Sequence, residues 1–196
     1  MLQPKIVTAI LSAGPCQADL EKQKMILTGS QIKQAVRDGD ITISRFDSEF
    51  IEPNSYGFHL GNELAVYTEA QVDAFGCRAV DYIRIPDSGY VLRPSFFYLG
   101  HTLEQMGSRI YAAELYARLS TSLCGMFIQT SAPLGHTGAI ISWTLEIVAS
   151  QPVRIYSGML IGKICFWRSH GQISPYAGRY SASNCTVPSR LSMVDQ

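Results

Sequence analysis

Apolar positions recur with a period of two along most of this chain, and one early segment carries a helical period instead. Thr28 and Gln31 have capping-box spacing, Ile32, Ala35 and Val36 repeat at helical intervals, and Gly39 stands where a helix would stop. The pattern therefore predicts a short helix over 29–38. Segments 40–50, 61–67 and 82–99 are short and alternating, and Pro53, Gly57, Pro86, Gly89 and Pro94 punctuate them. Such punctuation points to an all-β barrel or sandwich. Residues 1–24 show weak periodicity and end in the polar run Glu21 to Lys24, so they read as an extension. The compact unit, 25–196, begins near Met25.

The second half carries more chemistry. Across 138–148 the alternation sends Ile141, Trp143, Leu145 and Ile147 to one face and Ser142, Thr144 and Glu146 to the other. Glu146 is then either a solvent-facing carboxylate or a group held for catalysis, and the pattern alone leaves both open. Segments 152–155 and 159–167 are expected to form a hairpin around Ser157 and Gly158. Met159, Ile161, Cys165, Phe166 and Trp167 read as packing residues. Upstream, a strand from Tyr111 runs into a hydroxyl cluster, Ser120, Thr121 and Ser122, expected to open a helical turn. The cluster serves either as a simple N-cap or, with Arg118 beside it, as a phosphate cradle.

Charge narrows the partners. Sixteen basic and 16 acidic side chains among 196 residues leave no net charge, so no basic field steers the chain onto nucleic acid. With 46% hydrophobic and 16% charged residues, the composition suits a well-buried body. No apolar run of membrane-spanning length and no secretory leader pattern is found, and the expectation is a cytoplasmic protein with no membrane partner. The five cysteines, Cys16, Cys77, Cys124, Cys165 and Cys185, form no Cys-x-x-Cys pair and read as reduced thiols, mostly buried, Cys124 included. The four histidines, His59, His101, His136 and His170, are too far apart for a local zinc cluster, so no metal ligand set is expected.

The order of several short motifs carries a resemblance. They are a start reading Met25-Ile-Leu-Thr-Gly-Ser-Gln-Ile32, then Pro53-Asn-Ser-Tyr-Gly-Phe-His-Leu-Gly61, Tyr98-Leu-Gly-His-Thr-Leu-Glu104, Arg118-Leu-Ser-Thr-Ser-Leu123, Gln129-Thr-Ser-Ala132, Trp143-Thr-Leu-Glu-Ile147, Gly158 to Phe166, and Pro188-Ser-Arg190. The chain resembles the dCTP deaminase branch of the dCTP deaminase/dUTPase superfamily, from about Met25 to Arg190. The resemblance implies a mainly β fold, a distorted β-barrel of the dUTPase-like type with a few short helices. It also implies a homotrimer with active sites at subunit interfaces, closed by C-terminal segments. The implied reaction is hydrolytic deamination of a cytosine nucleotide, dCTP by default, without zinc.

On the same resemblance Glu146 is the general acid/base and the backbone of Ala132 helps hold the attacking water. Arg118, Ser120, Ser122, Gln129, His136, Thr144, Leu145, Tyr176, Arg179 and Ser183 are the implied substrate contacts. Magnesium would arrive on the nucleotide phosphates. The His-x-Glu and Pro-Cys-x-x-Cys pattern of zinc deaminases is missing. The turn Leu134-Gly-His-Thr-Gly138 also lacks the aspartate and tyrosine of the dUTPase branch, which makes a dUTPase or a bifunctional deaminase–diphosphatase the poorer match.

The phosphate side departs from the family pattern. An ungapped alignment puts Leu119 at a site serine and Leu123 at a phosphate-binding arginine, while Gly57 and His59 replace an aspartate and an arginine. His136 stands at a usual aspartate and Ser183 at a usual glutamine. Losing one bidentate arginine contact costs on the order of 1.5–3 kcal/mol. Three readings follow: Arg179 or Lys163 compensates, the substrate is another or a modified cytosine nucleotide, or the chain is a noncatalytic nucleotide-binding or protein-interaction member of the fold.

Overall fold

The stretch with helical periodicity forms α1, Gly29–Arg37, and buries Ile32 and Ala35. The computed structural model describes residues 25–76, 79–128 and 131–191, so the expected extension 1–24 and also Gln129, Cys16 and Cys77 lie outside the described residues. Thr28 is the N-cap of α1, but its hydroxyl meets the Ser30 hydroxyl at 3.1 Å instead of closing a capping box. The C-terminus ends in a Schellman motif: the Asp40 amide donates to the Ala35 carbonyl at 2.9 Å and the Gly39 amide to that of Val36 at 3.2 Å. Gly39 supplies the required φ of +80°.

Two six-stranded sheets follow. The first runs β11 (Leu134–Gly135), β9 (Tyr111–Ala117), β14 (Leu160–Arg168), β4 (Ser55–His59), β3 (Ile51–Glu52), with β1 (Met25–Ile26) also on β14. The second runs β10 (Met126–Ile128), β12 (Ile141–Ala149), β8 (Phe97–Ser108), β5 (Glu63–Tyr67), β6 (Val80–Arg84), with β2 (Ile41–Ile43) on β8. The predicted strand over 82–99 is divided among β6, β7 (Tyr90–Leu92) and the start of β8, because a turn at Pro86 and Gly89 interrupts it. Segment 40–50 is likewise split, into β2 and a 3₁₀ turn, Ser48–Phe50, capped by the Asp47 carboxylate. The fold is mainly β as expected. Among the described residues, however, the strands do not close into one barrel: pairing stops at β11 and β3 in one sheet and at β10 and β6 in the other.

The inner faces share one core, to which Tyr56, Phe58, Leu115, Ile164 and Phe166 come from the first sheet and Leu64, Met106, Leu145 and Ile147 from the second, all fully buried. Ile161, Cys165 and Phe166 are buried and Met159 and Trp167 partly so, in keeping with packing roles. The chain crosses between sheets at Leu60 and Gly61, where the Gly61 amide donates to the His101 carbonyl at 2.8 Å. A Cβ at Gly61 would lie 2.2 Å from His101 Nε2, so only glycine permits this approach.

The hairpin expected around Ser157 and Gly158 is corrected. β13 (Val153–Ile155) pairs with β7, while β14 pairs with β9, β4 and β1. Gly158 has φ +75° and the Met159 amide bonds the Tyr156 carbonyl at 3.3 Å, a turn with its positive φ at the third position. Turns of that kind splay the flanking strands instead of matching their twist, so β13 is free to find β7. The cysteine expectation is corrected too: Cys165 is buried, but Cys124 and Cys185 are exposed free thiols, Cys124 because it closes a short surface helix.

One irregularity shapes the second sheet. Ser142 pairs with Gln105 and Thr144 with His101, so Thr102, Leu103 and Glu104 of β8 stand opposite Trp143 alone. Thr102, fully buried, supplies the missing ladder bond by accepting from the Trp143 amide at 2.9 Å and donates to the Glu104 carbonyl at 2.7 Å. Buried Glu104 turns back to the first sheet, where its carboxylate accepts from the His59 amide at 3.0 Å and meets His59 Nδ1 at 2.5 Å. Thr102→Val keeps the shape and orphans the Trp143 amide. It should cost about 1–3 kcal/mol, seen as a lower urea midpoint with an unchanged slope.

Candidate active site

Leu145 and Ile147 are both fully buried in the core, so their neighbours Thr144 and Glu146 face the other way, onto a cavity of about 480 Å³. The alternation predicted for this strand holds from Thr144 onward and breaks before it. Ile141 and Trp143 also line the cavity, because the bulge opposite Trp143 changes the phase of the strand. Leu145, a candidate substrate contact, points its side chain into the core and leaves only its backbone toward any ligand.

Aromatic rings form much of the wall. Tyr67 and Phe97 stack at 6.5 Å with an interplanar angle of 7°, and His136 and Tyr176 stack at 5.5 Å and 21°. Glu146 is half-buried, and it and His136 are the titratable carboxylate and imidazole of the lining, which includes no lysine or arginine among the described residues. Ala132 lines the same space. The cavity suits a flat, mostly uncharged ring system with polar edges.

After β14 the chain, 169–191, has no regular structure and straps across this cavity. The Tyr176 amide donates to the Thr137 carbonyl at 2.8 Å, the Ser142 amide to the Ser183 carbonyl at 3.1 Å and the Val187 amide to the Thr144 hydroxyl at 3.2 Å. His101 Nδ1 and the buried Thr186 hydroxyl are 2.9 Å apart. Ser183 is buried against the cavity with no hydrogen-bond partner for its hydroxyl among the described residues. A buried hydroxyl left unpaired is costly, and a ligand edge could satisfy it. Arg179 lies on the outer side of the strap. It is exposed, donates to the Arg190 carbonyl at 2.7 Å, and is absent from the cavity wall.

The other candidates gather elsewhere. The five-residue helix α2 (Leu119–Leu123) has Arg118 as its N-cap, with no side-chain capping bond, so the expectation that the serines cap it is corrected. Thr121 is buried and donates to the Ile161 carbonyl at 2.8 Å, which anchors the turn to β14 and leaves Ser120 and Ser122 exposed within the helix. Arg118 meets Glu52 at 3.4 Å and lines with Leu119, Ser120 and Lys163 a cleft of about 270 Å³. Ser122 lines an adjoining cleft, again with Lys163. Neither cleft shares a lining residue with the Glu146 cavity. The sequence-predicted residues therefore form two groups on one chain: Glu146, Ala132, His136, Thr144, Tyr176 and Ser183 in one, Arg118, Ser120 and Ser122 in the other. Tyr67, Phe97, Leu99 and Tyr180 were missed as wall residues, since a single aromatic on a strand carries no sign of which cavity it will face.

An aromatic cavity on the outer side of the second sheet, walled by the strap and lined by an inward carboxylate, defines a small-molecule site. A family model described as dCTP deaminase-like matches residues 26–169. The chain is 37% identical over 168 residues to the dCTP deaminase, dUMP-forming, of Leptospira biflexa, covering 85% of this chain and 96% of that one. It is 39% identical to the protein of the same name from Clostridium acetobutylicum, with the same coverage. It is 36% identical to the dCTP deaminase of Rhodopirellula baltica, covering 85% of this chain and 84% of that one. The crystal structure of 2'-deoxycytidine 5'-triphosphate deaminase from Agrobacterium tumefaciens shares the fold, with a TM-score of 0.60 at 18% identity over 75% of this chain. This chain spans about half, 49%, of the length of that structure. The chain belongs to the dCTP deaminase-like family. No helix among the described residues is long and apolar enough to cross a membrane.

His101 gives the strap a pH dependence. Burial holds its pKa below the ordinary 6.5, and the Glu63 carboxylate only partly opposes this. The unfolded chain then binds the proton first, so the contribution of His101 to stability is full above pH 6.5 and is lost as pH falls from there through the folded value. The melting temperature should drop more steeply below pH 6.5 in the native chain than in His101→Gln, as followed by circular dichroism.

Proposed function

We propose that this protein is a homotrimeric cytoplasmic deaminase that hydrolyses dCTP at C4 of the cytosine ring, with Glu146 as general base and then general acid. The observation that carries this reading is the placement of Glu146 as the carboxylate of an aromatic cavity sized for a nucleobase. Family membership supports the substrate class.

In this reading a water rests beside the Ala132 backbone and gives its proton to the Glu146 carboxylate. The resulting hydroxide forms a bond to C4 while N3 takes up the proton. A second proton passes through Glu146 from the new hydroxyl to the exocyclic amine. The C4–N bond then breaks, ammonia leaves and the C4 carbonyl forms, so that dCTP and water become dUTP and ammonia. Tyr176 and His136 flank the ring or sugar, Ser183 offers its free hydroxyl, and Thr144, Gln129 and the Leu145 backbone complete the edge contacts.

The phosphates need cations, and among the described residues the Glu146 cavity has no lysine or arginine. Arg118, Ser120 and Ser122 would come from a neighbouring copy, since on their own chain they line separate clefts. Leu119 and Leu123, 72% and 77% exposed, give α2 an apolar surface that such a contact would cover. Arg179 donates from Nη1 to the Arg190 carbonyl and is the further cation of the candidate set. Among the described residues no three His, Cys, Asp or Glu side chains converge as a cage. Magnesium would arrive on the nucleotide phosphates and offset their charge.

The dUMP-forming names of the Leptospira and Clostridium relatives favour a second product, in which the α–β phosphate bond is also hydrolysed and pyrophosphate leaves. The sequence disfavoured that step at the turn around His136, and product analysis decides it. Incubation with CTP, dCTP, dCMP, CMP and 5-substituted analogues should release ammonia from dCTP, with loss of the cytosine absorbance. Glu146→Gln should bind the nucleotide and lower kcat by about 10²–10⁴. Silence across the panel would overturn the reading in favour of a noncatalytic member of the fold.

A further inference from the structure

The strap is fastened to the second sheet at one buried point that none of the site assignments uses. Thr186 is 1% exposed, and among the described residues its hydroxyl meets a single polar group, Nδ1 of His101, at 2.9 Å. His101 lies on β8 in register with Thr144 of β12, as Leu99 is with Glu146. Side chains two apart on a strand share a face, so His101 and Thr144 stand beside Leu99 and Glu146 on the outer face of the sheet. Leu99, Thr144 and Glu146 line the cavity, whereas His101 and Thr186 do not.

The bulge of β8 explains why the strap grips here. Its unpaired stretch begins at Thr102, so the rungs that flank it are His101 with Thr144 and Gln105 with Ser142. Segment 183–187 is clipped to both. On one rung the Thr186 hydroxyl meets His101, and the Val187 amide donates to the Thr144 hydroxyl at 3.2 Å. On the other, the Ser142 amide donates to the Ser183 carbonyl at 3.1 Å and Gln105 Nε2 to Asn184 Oδ1 at 2.7 Å. The Gln105–Asn184 bond is exposed and competes with water, while the Thr186 hydroxyl is buried and is costly to leave unpaired. The imidazole is held from behind, because a Cβ on Gly61 would collide with Nε2 and only the bare glycine backbone leaves room for the ring.

We propose that His101 and Thr186 are positioning residues for the reaction: their bond holds 183–187 across the bulge and so fixes Ser183 and Val187 as walls of the Glu146 cavity. Substrate then meets a complete site only in the fraction of chains whose strap is latched. The latch rests on the strap geometry, and its effect on substrate rests on the deaminase reading given above.

Hydrogen exchange of the full chain without nucleotide, followed by mass spectrometry, reads the latch directly. Thr186→Val keeps the shape and leaves His101 Nδ1 unpaired, and His101→Phe keeps a ring and leaves the Thr186 hydroxyl unpaired. Each should speed exchange across 183–191 by about tenfold to a hundredfold with β14 unchanged, and Thr186→Ser should keep most of the native protection. Combining His101→Phe with Thr186→Val removes both polar groups, so the double variant should exchange more slowly than either single one. With dCTP, Thr186→Val should raise KM more than it lowers kcat. Unchanged exchange in the strap, an equal rise in β14, a double variant that sums the single effects, or a loss of kcat at constant KM would each overturn the proposal. If His101→Phe fails to fold, His101→Leu makes the same comparison. A native chain that deaminates nothing while Thr186→Val still frees the strap would remove the deaminase reading and leave the latch assigned.

Discussion

A strand with one dry face has no freedom over where its other side chains go, and the organisation of this protein hangs on that constraint in β12. Leu145 and Ile147 must stay in the core shared by the two sheets, so Thr144 and Glu146 must face outward. A shift of one residue would bury a carboxylate and expose two large aliphatic side chains, each worth roughly 1.5–3 kcal/mol when buried. The register is therefore strongly specified. The bulge of β8 lets Trp143 turn to the cavity wall without an orphaned amide, because the Thr102 hydroxyl takes the place of a ladder carbonyl. Glu104, displaced by the same bulge, ties the second sheet to His59 of the first.

Charge is segregated as firmly as burial. Among the described residues the cavity has aromatic walls with a single carboxylate and a single imidazole, and the cations of the candidate set lie beside α2 or on the outer side of the strap. In the proposed reading a nucleoside occupies the first surface and its phosphates the second. The proposed trimer would join them, and the exposed leucines of α2 are the surface left over for that contact.

The strap supplies one wall of the cavity in the single chain. Its bonds include backbone amides received by the hydroxyls of Thr144 and Tyr67 on the second sheet and by the Thr137 carbonyl in the turn before β12. Few apolar side chains of the strap are buried, Val187 being one, so it is held by hydrogen bonds more than by packing. Such a segment opens at lower cost than a core strand, as substrate entry requires.

Periodicity alone located α1 and the strand of Glu146, because both follow from side-chain directions within a few residues. The order of short motifs was enough to place the chain in its family. What remained hidden depended on residues far apart in sequence: β13 chose β7 over its neighbour β14, His59 found Glu104 45 positions away, and Thr186 reached His101 across 85. The family resemblance implied Leu145 and Arg179 as substrate contacts, and only the tertiary structure shows that the Leu145 side chain lies in the core and that Arg179 donates to the Arg190 carbonyl. The sequence by itself determined the family, the helix, and the face on which Glu146 stands, since these rest on local geometry. Only the tertiary structure decided which strands pair, which rings wall the cavity, and that Lys163 shares a cleft with Arg118, since those depend on the free energy of contacts that no local pattern encodes.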